Sequence, residues 1–186
     1  MLQMTGKNKS HLSQWNTLLN TDCKVYRIDG NYVYPIFKNA SSSLHQVHDQ
    51  VLHNEEITQC DDIHILIRDP SDRFVSGINT YTQKHNMEIN EAMKQIKEGK
   101  LMDRHFSPQW IWLLHLRRFY NGKVTLRAFE NITNYCKVHL NKADNKTTVD
   151  VPSTFISADL ELTKYFEKSV FLDKIIKECK SVLSKT

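Results

Sequence analysis

Glycine and proline are scarce in this chain, five and four residues out of 186. No stretch rich in either one divides it, and no internal repeat or low-complexity segment stands out. A chain of this length without a linker fits one domain over 1–186, with 1–22 expected to be a loosely packed polar segment. Also missing is any apolar run long enough to span a bilayer, and "MLQMTGKNKSHLSQWNTLLN" lacks the apolar core of a secretory signal. These absences lead to the expectation of a soluble, cytoplasmic protein with no membrane partner. The cysteines, Cys23, Cys60, Cys136 and Cys179, form no C-x-x-C pair, which fits free thiols in a reducing compartment better than disulfides. The glycosylation patterns at Asn39, Asn131 and Asn145 are then read as chance. Charge of one sign is not abundant either: 25 Lys+Arg against 21 Asp+Glu leaves +4. That excess is too small to mark a nucleic-acid binder, but it suits an enzyme with an anionic ligand. Oligomeric state is not readable from these numbers.

What is present alternates between strand and helix patterns. "KVYRI" and "YVYPIF" read as short strands around a turn at Asp29-Gly30-Asn31. Leu44, Val47, Val51 and Leu52 then recur at helical spacing. "DIHILI" is a β-branched run suited to a buried parallel strand, and Asp69-Pro70 supplies a helix cap and first-turn proline behind it. Helices are expected through Phe74, Ile78 and Tyr81, over "INEAMKQIKEGK", and along "SPQWIWLLHLRRFY" with Ser107 as cap and Pro108 in the first turn. "KVTLRAF" reads as a strand, "ENITNYCKVHL" as a helix, 141–157 as irregular, and the apolar spacing from Leu172 to Leu183 as a terminal helix. The order implies an α/β fold, one domain of three layers, with helices on both faces of a mainly parallel sheet. Ligands bind such sheets at the carboxyl ends of the strands.

Two polar stretches sit at those ends. In "YPIFKNASSSLHQV", Lys38 precedes Asn39, Ala40 and the hydroxyls of Ser41, Ser42 and Ser43 at a helix start. Unpaired first-turn amides, hydroxyls and a cation together make an anion cradle, although a capped polar turn fits the same residues. The glycine-rich nucleotide loop, G-x-x-x-x-G-K-[ST], is absent. In "RDPSDRFVS", Arg68 leaves the strand while Arg73 and Ser76 lie three apart on the next helix. Arg68 has the fork geometry that grips phosphate, though pairing with Asp69 or Asp72 is the plainer alternative.

The pairing of "PIFKNASSSL" with "LIRDPSDRFVS" resembles the two signature motifs of sulfotransferases that use 3′-phosphoadenosine 5′-phosphosulfate (PAPS). "DRHFSPQ" is similar to a segment of carbohydrate sulfotransferases. The resemblance spans roughly 34–129 and implies a phosphate-loop-like sulfotransferase fold. It implies that Lys38 and the Asn39–Ser43 loop hold the phosphosulfate, and that Arg68 and Ser76 hold the 3′-phosphate. Many members carry glycine where Ala40 stands here. The implied acceptor is a carbohydrate or another small hydroxylated molecule, and no metal is expected.

Sulfuryl transfer needs charge stabilisation at the leaving oxygen, assigned to Lys38, and a base for the acceptor hydroxyl. His105 is the first choice; His45, His48, His53, Asp103 and Glu55 are the alternatives. Lys94, Lys97, Lys100 and Arg104 either greet an acidic acceptor or form a solvated face. A nucleotide or small-molecule kinase on a related fold and a catalytically silent nucleotide or polyanion binder are the competing functions.

Overall fold

Strands β1 (Lys24–Ile28) and β2 (Asn31–Tyr34) form a hairpin across Asp29-Gly30, both in the left-handed region at φ 48° and 79°. The computed structural model describes residues 20–129, 149–152 and 159. Helix α1 (Ser41–Val47) follows, then strand β3 (Gln50–His53), a 3-10 helix (Asn54–Gln59) and β4 (Asp62–Ile67). Helices α2 (Pro70–His85), α3 (Ile89–Lys97) and α4 (Gln109–Leu116) lead to β5 (Lys123–Ala128). Most of the expected loose segment 1–22, the expected helices over 130–140 and at the carboxyl end, and most of 141–157 lie outside the described residues.

The five strands form one mixed sheet in the order β3-β1-β2-β4-β5. Its β2-β4-β5 half is parallel, as the crossover order requires, while the tight β1-β2 hairpin and edge strand β3 make the other half antiparallel. Val51 and Leu52, expected on a helix, lie on β3 instead. The helix stops because His48 turns extended at ψ 143°, after which β3 pairs with β1.

Alternation along the strands builds a core on each face. Val25, Tyr34, Ile63, Ile65, Ile67, Val124 and Leu126 point toward Ile111, Leu113 and Leu116 of α4. Tyr26, Ile28, Val33 and Leu66 point the other way, onto Leu44 of α1. Leu44 is the one buried residue of α1, an anchor of about 2 kcal/mol, so the position of α1 depends on the loop that leads into it. A third cluster joins α2 and α3 through Phe74, Ile78, Met93, Ile96 and Phe106. Among the described residues no helix is long and apolar enough to cross a membrane.

Candidate functional site

Strands β2 and β4 run parallel side by side, with Tyr34 opposite Ile65, so both polar stretches emerge at one edge of the sheet. The first loop is tightly coiled. φ is positive at Lys38 (69°) and Ala40 (59°) but not at Asn39 between them. Alternation of this kind turns successive amides to one side, the concave geometry that accepts an anion. The amides of Ser41, Ser42 and Ser43 have no acceptor among the described residues, and no side chain caps α1. Ala40 holds the left-handed position that usually favours glycine.

Lys38 is half-buried, and its Nζ donates to Thr80 Oγ1 at 2.5 Å. The Thr80 hydroxyl in turn donates to Ser76 O at 3.0 Å, one helical turn back on α2. Arg68 Nη1 donates to Lys38 O at 3.1 Å, and the guanidinium lies 5.1 Å from the centre of the Phe129 ring. Lys38, Arg68, Thr80 and Ser76 thus form one connected group, which unites the two stretches. Burial lowers the Lys38 ammonium below the usual lysine value, and the charges of Arg68 and Arg73 lower it further.

The start of α2 is closed to an anion. Asp69 caps it, accepting from Ser71 N and Asp72 N at 2.9 Å each, with Pro70 in the first turn as the sequence predicts. At the second stretch the expected phosphate ligands are the side chains of Arg68 and Ser76, of which Arg68 already donates to Lys38 O.

Arg73 plays a part that the sequence did not disclose. It is 2% exposed; its Nε donates to Phe37 O at 3.0 Å and its Nη1 to Ser107 O, which ties the first loop to the turn before α4. Its Nη2 is buried with no hydrogen-bond partner among the described residues. Burial weakens the guanidinium's hold on its proton, Asp159 opposes that effect, and Arg68 adds to it.

That turn carries the expected base. His105 Nδ1 lies 2.5 Å from Asp103 Oδ1, and the same oxygen accepts from His105 N at 2.8 Å. A carboxylate only accepts, so Nδ1 bears the hydrogen and Nε2 of the neutral ring is left with its lone pair. Burial alone would raise the Asp103 carboxyl; the hydrogen bonds from His105 outweigh it and hold the group below its usual range. The His105 ring meets Phe37 edge-on at 5.5 Å, and Phe37 also stacks on Trp112 at 5.4 Å with Arg104 4.6 Å from its centre. Phe37, next in sequence to Lys38, therefore joins the dyad to the first loop.

Beneath both loops lies Asn39, fully buried, with Nδ2 donating to Leu66 O at 2.7 Å and Gln109 Oε1 at 2.6 Å. Its side chain supports the loop from below, and its burial withdraws the glycosylation pattern there. Ser107, expected to cap α4, instead accepts from Trp112 Nε1 at 2.9 Å. Asp159 takes over the capping, accepting from Gln109 N at 2.6 Å and Trp110 N at 2.9 Å.

A cleft of about 770 Å³ opens beside the first loop, lined by Phe37, Ser41, Met102, Asp103, Arg104 and Trp112 among others. Lys38, Arg68 and Ser76 lie outside it, so the cation group and the cleft are neighbouring regions that share Phe37 and Ser41. Of the alternative bases Asp103 lines the cleft, and the others are elsewhere. His48 stacks on His45 and on Tyr26, and His45 meets Tyr26 at a tilt. His53 and Glu55 flank the start of the 3-10 helix beyond β3. Lys97 pairs with Asp150 at 3.6 Å and Lys100 with Glu98 at 2.7 Å, whereas Arg104 reaches the cleft.

Compared with protein-family models, with curated proteins and with solved structures, the chain matches none of them.

Proposed function

We propose that this chain is a sulfotransferase, taking the sulfuryl group of PAPS to a hydroxyl of a carbohydrate or another small acceptor on a phosphate-loop-like α/β fold. The observation that carries this reading is the meeting of Lys38 and Arg68 at adjacent carboxyl ends of β2 and β4, joined by the 3.1 Å hydrogen bond from Arg68 to Lys38 O. A ligand with two separated phosphate-like groups fits that arrangement. One end meets the unpaired amides and hydroxyls of Ser41–Ser43 beside Lys38; the other meets Arg68 and Ser76. A depressed lysine among two arginines gains from an anion, because the anion relieves the like-charge repulsion.

When bound, PAPS supplies an activated sulfuryl group on a phosphate leaving group. The Lys38 ammonium meets the negative charge that grows on the oxygen between phosphorus and sulfur as that bond breaks. His105 Nε2 takes the proton of the acceptor hydroxyl, while Asp103 holds the ring in the required tautomer and steadies its charged form. The cleft gives the acceptor its place: Phe37 and Asp103 line it, and each of them contacts His105.

Calorimetric titration with adenosine 3′,5′-bisphosphate, AMP and ATP tests the reading. Binding of the bisphosphate well above the other two, lost in Arg68→Ala, is the expected result. Equal affinities, or no binding, overturn it. Selective binding with no sulfate transfer across a panel of hydroxylated acceptors points to a silent nucleotide-binding module.

A further inference from the structure

The side chain of Gln109 makes contacts that no property of α4 explains. It is fully buried at the first position of the helix. Its Oε1 accepts from Asn39 Nδ2 at 2.6 Å, on the first loop, and from Arg68 N at 3.1 Å, on the second. Its Nε2 donates back to Arg68 O at 2.9 Å. One amide therefore pairs with both polar backbone groups of Arg68 and with the buried residue between Lys38 and Ala40. Asn39 completes the bridge by donating to Leu66 O, two residues before Arg68. Gln109 is itself fixed from behind, because Asp159 accepts from its backbone amide at 2.6 Å.

We infer that Gln109 is a positioning residue that sets the spacing of the two anion-binding loops, so that an anion held by one loop prepares the other. This rests on the sulfotransferase reading for the identity of the ligand, but the mechanical link does not. Other contacts reach the loops, Arg73 Nε to Phe37 O and Arg68 Nη1 to Lys38 O, but neither joins the backbone of the second loop to the buried side chain of the first. Leu44 on α1 and the Asn39 bond to Leu66 O hold the first loop from below, and the second is a two-residue step between β4 and α2. An amide is the group suited to the task. Its oxygen accepts two hydrogen bonds while its nitrogen donates, and it brings no charge to a buried place beside two arginines. Leucine keeps the bulk and loses all three bonds; glutamate keeps the accepting oxygen and loses the donor.

The test compares adenosine 3′,5′-bisphosphate, adenosine 5′-monophosphate and adenosine 3′-monophosphate by calorimetry on the native chain, Gln109→Leu and Gln109→Glu. In Gln109→Leu the preference for the bisphosphate over either monophosphate drops about tenfold, the size of an ordinary coupling between sites. Gln109→Glu restores part of it. A residue that merely supports the fold lowers all three affinities in proportion, and that outcome overturns the inference. Amide hydrogen exchange gives a second readout that requires no nucleotide. In either variant the Arg68 amide and the amides of 36–40 exchange faster together; acceleration at one loop alone overturns the inference. Should both variants fail to fold, the native chain still decides. Adenosine 3′-monophosphate, which reaches only the second loop, slows exchange at 36–40 if the loops are linked and leaves it unchanged if they are not. Joint acceleration in the variants with no nucleotide binding to the native chain leaves the link standing and removes the sulfotransferase reading.

Discussion

Lys38 and Thr80 stand 42 residues apart in sequence, yet the ammonium of one donates to the hydroxyl of the other at 2.5 Å. Because the Thr80 hydrogen is committed to Ser76 O, its oxygen faces Lys38 as an acceptor. This contact holds a half-buried lysine, at the end of a loop with two left-handed residues, against the helix that carries Ser76. Thr80→Val keeps the shape and removes the acceptor. Turnover in a sulfate-transfer assay falls about tenfold, as for the loss of a hydrogen bond to a charged group, while Lys38→Met costs about 10³-fold. Native turnover in Thr80→Val would show that Lys38 needs no such support.

The depressed Lys38 ammonium also sets a pH dependence. Burial and its two arginine neighbours loosen its proton, and a bound phosphosulfate-like anion tightens it again. Affinity for adenosine 3′,5′-bisphosphate therefore declines at an alkaline pH below the ordinary lysine range, and binding there takes up a proton. Calorimetry in two buffers of different ionisation heat measures that uptake; identical heats in both would contradict it.

The Asp103–His105 pair makes a separate prediction about the proton of the acceptor. His105→Ala lowers turnover by about 10²-fold to 10⁴-fold, the usual contribution of a positioned base. Adenosine 3′,5′-bisphosphate binding stays within about twofold of native, because among the described residues the ring meets the donor loop at the Phe37 edge. Asp103→Asn leaves His105 free to adopt the other tautomer and gives an intermediate loss. Turnover unchanged in His105→Ala transfers the role to another group.

Gly77 shows how closely α2 approaches this pair. A β-carbon built there lies 2.2 Å from the His105 carbonyl oxygen and 2.7 Å from its carbon, both backbone atoms. Gly77→Ala therefore forces the turn away from α2, where Arg73 also holds it through Ser107 O. The expected cost is about 2 kcal/mol of stability, with a loss of turnover larger than the loss of nucleotide affinity. Thermal unfolding and calorimetry on the same variant check both parts.

Much of this was legible in the sequence where chemistry and chain position coincide. Lys38, Ser41–Ser43, Arg68 and Ser76 stand directly at strand ends or in the helix turns behind them, so spacing alone brought them forward. Asp69 and Pro70 announced α2 for the same local reason. Strand β3 was hidden because Leu44, Val47, Val51 and Leu52 fit a helical period as well as a short helix followed by an edge strand. The supports were hidden for a different reason. Gln109 meets Arg68 across 41 residues, Asp159 meets Gln109 across 50, and Arg73 meets Phe37 across 36, and no local pattern records such partners. A hint lay in Arg73, a charged residue beside Phe74 and one turn from Gly77 on the buried face of α2.

Asp159 allows the hidden framework to be probed by pH. Its carboxyl is raised from 3.8 to about 6 by burial, which prevails over the amides of Gln109 and Trp110 and the charge of Arg73. The folded chain then binds this proton more tightly than the unfolded chain does. The group's contribution to stability is thus fully present below 3.8, shrinks as pH rises to about 6, and is constant above that. Asp159→Asn removes the titration and turns one amide acceptor into a donor, a loss of about 1 kcal/mol that does not vary with pH. Melting temperatures of the two proteins, taken across this range, should therefore converge or cross as pH rises, with the native chain losing ground to the variant. Parallel curves would mean that Asp159 is ionised throughout, with the charge of Arg73 and the end of α4 prevailing over its burial.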